Sequence, residues 1–135
     1  MIFVDTAFWV AFNDRRDDHH NEALALMRRH GEEPFVTTNH VRGETWSMLR
    51  RRAGHEDAVK VLDRLERTPR VRTIFVNEEM EADALSWLRR HDERDYSFVD
   101  AASFATMRAL RIRDAFTFDA DFAAAGFRVV REGMR

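Results

Sequence analysis

Met1-Ile2-Phe3-Val4-Asp5-Thr6 opens the chain, and the reading of that stretch decides the fold. Three apolar residues run straight into a carboxylate. A short apolar run of this kind reads as a strand buried on both faces, the way strands of parallel sheets read. In an open parallel sheet, ligands sit beyond the carboxyl ends of the strands. Asp5 is therefore expected where chemistry is done. Residues 6–12 follow, apolar nearly all round. They read as a short buried helix that begins at the strand end, with its free N–H groups near Asp5.

Outward from there the same alternation repeats. A polar loop over 13–18 leads to a helix over 19–29, with Ala23, Leu24 and Met27 on one face and Gly31 as its stop. Phe35–Thr38 reads as the second strand. Asn39 suits the N-cap of a helix over 40–52 that Gly54 ends. A helix over 56–67 carries the stripe Ala58, Val61, Leu62 and Leu65 and stops before Pro69. The third strand lies within 71–76, mainly 73–76. Asn77 caps the next helix, whose first turn holds Glu78, Glu79 and Glu81 and whose core face is Ala84, Leu85 and Leu88. A loop over 91–95 precedes Ser97 and a helix to about Leu110. Residues 115–118 form a fourth strand closed by Asp119. A short helix over 120–125 stops at Gly126, a fifth strand covers 127–130, and 131–135 are expected to fray. Strands alternating with helices imply an α/β domain spanning 1–135, with a parallel sheet between helices.

Composition narrows the function. The 135 residues are 44% hydrophobic and 34% charged, enough for one real core. No apolar run approaches the roughly 18 residues of a membrane span, and the start lacks a secretory signal pattern, so a cytoplasmic protein without membrane contact is expected. Cysteine is absent, which excludes disulfides and thiolate metal sites. A net charge of −2 is not the footprint of a strongly basic nucleic-acid binder. It leaves open one that works through a divalent cation at an acidic site.

Four acids are candidates for such a site. Asp5 ends the first strand and Asp119 the fourth; either could equally serve as a turn or helix cap. Glu44 shares the inner face of its helix with Val41, Thr45 and Met48, where a glutamate is rare unless paired or bound. The competing reading pairs it with an arginine such as Arg42. Asp100 stands three residues after Ser97, the spacing of a capping box. Converging carboxylates would repel and raise one another's pKa. A hard cation held by oxygens, Mg²⁺ or Mn²⁺, relieves this, and such a site can activate water against a phosphodiester. Arg50-Arg51-Arg52 reads either as a phosphate grip or as cations complementing a helix end.

In this order the motifs resemble those of the PIN domain family, and specifically its small VapC-type toxins. The four stretches are Val4-Asp5-Thr6, Thr37 through Thr45 around Glu44, Asp95 through Ser103 around Asp100, and Thr117-Phe118-Asp119-Ala120-Asp121-Phe122. The resemblance runs the full chain. It implies a five-stranded parallel sheet flanked by helices and a Mg²⁺- or Mn²⁺-dependent ribonuclease. Asp5, Glu44, Asp100 and Asp119 would be its metal-binding and catalytic acids, with Thr6, Ser97 and Thr117 orienting them. It implies an RNA substrate, a cognate VapB-type antitoxin and a homodimer. Asp121 departs from the pattern, since many relatives carry histidine or another polar residue there: it is an extra ligand, an outer acid or a cap. Two rival classes stand beside this. Phospho-aspartate proteins fit less well, because Ala7 replaces the second acid and the sole lysine, Lys60, is misplaced. The other rival is a catalytically silent PIN-like module that binds protein or RNA without cutting.

Overall fold

The computed structural model describes residues 1–133. Among these residues it contains five strands and seven helices: β1 (Ile2–Val4), α1 (Thr6–Asn13), α2 (His20–Arg29), β2 (Phe35–Thr38), α3 (Asn39–Ala53), α4 (His55–Arg67), β3 (Val71–Ile74), α5 (Glu78–Arg90), α6 (Phe98–Leu110), β4 (Asp114–Phe116), α7 (Asp121–Ala124) and β5 (Arg128–Val129). The strands form one parallel sheet in the order β3-β2-β1-β4-β5. No helix among the described residues is long and apolar enough to cross a membrane.

The order places β1 at the centre, with Ile2 registered against both Phe35 and Asp114. Every residue of β1 and β2 is buried, so helices cover both faces there. The chain runs from β1 outward to β2 and β3, then returns through α5 and α6 to enter β4 on the other side of β1. The gap between β1 and β4 is therefore the point where the winding reverses, the usual ligand crevice of such a sheet. Phenylalanines fill the core. Phe8 stacks on Phe116 at 4.6 Å, and Phe104 meets Phe122 edge-on at 4.9 Å. At Gly54, φ is +96°, a left-handed value that lets one residue end α3 and begin α4.

Several local expectations are corrected. The third strand occupies Val71–Ile74, not mainly 73–76, and Phe75 is left 64% exposed under the guanidinium of Arg42. The cap of α3 is Thr38, whose hydroxyl accepts from Val41 N–H at 3.0 Å. Asn39 instead accepts from Val76 N–H at 2.9 Å and ties the end of β3 to α3. On α5 the buried pair is Ala84 and Trp87, while Leu85 is 37% exposed. Arg131 is no frayed tail: its Nε and Nη2 each reach Glu22 at 2.8 Å. Met134 and Arg135 of that expected fray lie outside the described residues.

Candidate metal centre

Asp5 is the first residue past β1 and is 3% exposed. Its backbone carbonyl accepts from Phe8 and Trp9 N–H, so the backbone starts α1 while the side chain stays free of any capping bond. That side chain turns instead toward β4, where Thr117 Oγ1 donates to Asp5 Oδ2 at 2.9 Å. The same hydroxyl accepts from Asp119 N–H at 3.0 Å. One threonine thus joins the carboxylate of one strand end to the backbone bearing the next acid. Phe118, between them, is fixed by stacking on Phe8 at 5.7 Å and by His19 against its ring at 4.4 Å.

Asp100 comes from the first turn of α6. Ser97 Oγ accepts from Asp100 N–H at 3.0 Å and Ser97 N–H donates to Asp100 Oδ2 at 3.4 Å, the two bonds of a capping box. Capping and site placement coincide: a carboxylate has two oxygens, and the cap engages one. The cap also aims the residue into the crevice, and Asp5, Asp100 and Asp119 each offer an oxygen within 4.8 Å of the others.

Such a cluster carries its own electrostatic signature. Burial, then the nearby charge of Asp100, pushes the Asp5 carboxyl up to about 7, against the opposing pull of Thr6 N–H and Thr117. Burial and the charge of Asp119 push Asp100 to about 7 as well. Asp119 is raised too, chiefly by burial. Three acids held as unfavourable anions form a site that a dication relieves. Their oxygens are hard donors with no nitrogen or sulfur among them, which matches Mg²⁺ or Mn²⁺ in donor chemistry.

The other expected residues stand differently. Glu44 is half-buried on α3 and outside the 4.8 Å set; among the described residues it makes no hydrogen bond or ion pair, and Arg42 is engaged with Phe75 instead. Asp121 is also outside the set. Its Oδ1 takes Nε and Nη2 of Arg94, both at 2.8 Å, while its N–H donates to Asp119 Oδ1 at 3.0 Å. The Thr6 hydroxyl is buried without a hydrogen-bond partner among the described residues, and the Ser97 side chain both accepts the Asp100 N–H of the helix cap and pulls against the rise of the Asp100 carboxyl. Within the triplet Arg50-Arg51-Arg52, Arg52 pairs with Asp17 at 3.2 Å and the other two are exposed. His19 and His20, at the start of α2, are both engaged: His19 on Phe118, and His20 Nδ1 with the Ala11 carbonyl at 2.7 Å. Arg94 is the residue the sequence did not single out. It sits in a charged loop, and nothing in its local spacing distinguishes it.

An acid cluster at the reversal point of a five-stranded parallel sheet defines a class, and the chain belongs to the PIN domain family, whose model matches residues 2–128. Within that family it is a VapC-type chain. It is 49% identical over 132 residues to the 23S rRNA-specific endonuclease VapC20 in two strains of Mycobacterium tuberculosis, covering 97% of this chain and 98% of that protein. The crystal structure of Mycobacterium tuberculosis VapC20, described as a sarcin-ricin loop cleaving toxin, superposes with a TM-score of 0.91 at 46% identity over 97% and 99% of the two chains. FitAcB from Neisseria gonorrhoeae shares the fold, with a TM-score of 0.69 at 18% identity over 96% of each chain.

Proposed function

We propose that this chain is a metal-dependent endoribonuclease toxin that cleaves 23S ribosomal RNA. The observation that carries the reading is the convergence of Asp5, Asp100 and Asp119 on the winding-reversal crevice. The choice of RNA is supported by the near full-length likeness to VapC20. In this reading Asp5, Asp100 and Asp119 hold Mg²⁺ or Mn²⁺, and Glu44 holds a second ion or its waters, or positions the nucleophile. When bound, the cation supplies Lewis acidity and a lowered pKa for water at the scissile phosphate. Thr117 keeps Asp5 oriented, and the capping box keeps Asp100 on the crevice.

A toxin of this type works in the cytoplasm as a homodimer and is silenced by a VapB-type antitoxin. A cleft of about 770 Å³ between α1, α2 and α4 suits that partner. Trp9, Phe12, Leu24, Met27 and Leu65 line it with apolar surface, and Arg15, Lys60, Arg64 and Arg70 outnumber the single acid, Asp57, among its charged lining residues. That combination fits an acidic amphipathic segment.

The test is cleavage of 23S rRNA in purified ribosomes, with Mg²⁺, Mn²⁺ or EDTA, beside Asp100→Ala. The expected result is discrete fragments that require metal and vanish in the variant. Folded, antitoxin-free protein that cuts nothing under any of these conditions would instead favour the silent interaction module.

A further inference from the structure

Arg94 and Asp121 form a pair at the edge of the cluster that the three-acid site itself does not explain. Arg94 lies in the loop between α5 and α6, and Asp121 is the first residue of α7. Both Nε and Nη2 of the guanidinium address the single oxygen Oδ1 of Asp121. Gripped along that edge, the planar fork turns its Nη1 end away from Asp121. Asp121 in turn is bonded through its N–H to Asp119, a member of the cluster. The cation is therefore tethered to the site through one acid and one peptide group. Its side chain stays 40% exposed while that of Asp121 is 16% exposed, so the open side of the pair is the arginine.

The pair is neutral as a whole, so it leaves the net charge of the cluster unchanged and acts by where it puts its donors. Three carboxylates with one dication leave a net charge of −1. A phosphodiester adds another negative charge, and a phosphoryl transition state spreads more over its non-bridging oxygens. Of the charges that act most strongly on Asp5, Asp100 and Asp119, the one positive contribution is that of Arg94, at Asp119. A site built only of acids would repel its substrate. A guanidinium beside it supplies forked donors that match phosphate oxygens.

We infer that Arg94 contacts the non-bridging oxygens of the scissile phosphodiester, and that Asp121 is not a metal ligand but the positioning residue that holds Arg94 there. This rests on the nuclease reading above. In the hydrolysis, a water oxygen bonds to phosphorus, the bond from phosphorus to the leaving ribose oxygen breaks, and the proton lost by water ends on that oxygen or in solvent. Arg94 transfers no proton; it donates hydrogen bonds where charge accumulates.

The experiment compares wild type, Arg94→Ala, Arg94→Lys, Asp121→Asn and the Arg94→Ala/Asp121→Asn double variant. Three quantities are read: kcat and KM on 23S rRNA in ribosomes with Mn²⁺, Mn²⁺ affinity by electron paramagnetic resonance, and the thermal midpoint. Arg94→Ala is expected to lower kcat by roughly 10²-fold, the scale of losing one donor to developing charge, with a smaller change in KM. Arg94→Lys recovers part of that, because it restores charge without the fork. Asp121→Asn loses about tenfold in kcat, keeps wild-type Mn²⁺ affinity, and adds nothing in the Arg94→Ala background, since the two act as one unit. Weakened Mn²⁺ binding by Asp121→Asn would make Asp121 a ligand and overturn the assignment. Wild-type kcat in Arg94→Ala with a lowered melting point would reduce the pair to a loop staple. If wild type itself fails to cleave, the nuclease reading falls, and the Mn²⁺ affinities still decide whether Asp121 is a ligand.

Discussion

Replacing Asp5 with asparagine should make the metal-free protein more stable while abolishing its activity. Asp5 is 3% exposed, and its carboxyl is pushed from the ordinary 3.8 to about 7. The folded state therefore holds the Asp5 proton more tightly than the unfolded chain does. Stability from this group is complete below pH 4 and is lost as pH rises through about 7. At 1.36 kcal/mol per pH unit, the anion costs about 4 kcal/mol at pH 8 and about 2 kcal/mol at pH 5. Asparagine keeps an oxygen that can accept from Thr117 but buries an amide, which costs about 2 kcal/mol where its N–H groups find no partner. The net gain is about 2 kcal/mol at pH 8 and about zero at pH 5. For a domain of this size that is roughly 5–10 °C in melting temperature. The assay is thermal unfolding followed by circular dichroism in EDTA at both pH values, then with Mn²⁺. Wild type should gain on adding Mn²⁺ by mass action, and Asp5→Asn should gain far less. A variant that melts below wild type at pH 8 in EDTA, or a difference that ignores pH, would refute the reasoning and leave Asp5 as a structural turn residue.

Other perturbations probe the same site from different sides. Thr117→Val preserves shape but removes the donor to Asp5 and the acceptor for Asp119 N–H; it should cost about 1–3 kcal/mol and lower cleavage roughly 10–100-fold, and unchanged melting with unchanged rate would remove Thr117 from the site. Glu44→Gln should depress cleavage while leaving Mn²⁺ affinity close to wild type, unlike Asp100→Asn; an equal loss of affinity in both would put Glu44 among the ligands. Lys60→Glu with Arg64→Glu reverses charge in the α1, α2 and α4 cleft and should weaken antitoxin binding, read by calorimetry, with rRNA cleavage by the free toxin untouched. Retained antitoxin affinity would send that partner to another face.

The parts of the fold that sequence made legible are those governed by local rules. The run into Asp5, the apolar α1 and the Ser97–Asp100 spacing each have a short-range physical meaning, and each stands in the structure as read. The misreadings came where two local solutions compete. Thr38 and Asn39 are both good caps, and the cap went to Thr38 because Asn39 is claimed by Val76, 37 residues away. Leu85 and Trp87 are both apolar, and Trp87 was buried because Tyr96 and Phe104 stand against it at 4.5 and 5.1 Å. The first residues of the expected tail were captured by Glu22, 109 positions back.

The candidate site shows the same division more sharply. Asp119 and Asp121 are two residues apart in one short stretch, and no periodicity tells which of them faces the other acids. The decision comes from two distant side chains. Thr117 ties the Asp119 backbone to Asp5 across 112 residues of sequence, and Arg94 draws Asp121 aside across 27. Moving Arg94 alone would leave Asp121 an unpaired carboxylate next to three others, adding to the repulsion that already raises their pKa values. Asp119 and its neighbour Asp121 thus face different partners because of a cation that local sequence gives no reason to notice. A site assembled at a winding reversal draws its residues from chain segments that meet only in the fold, so acids can be nominated from their motifs, but their division of labour is set by the contacts between those segments.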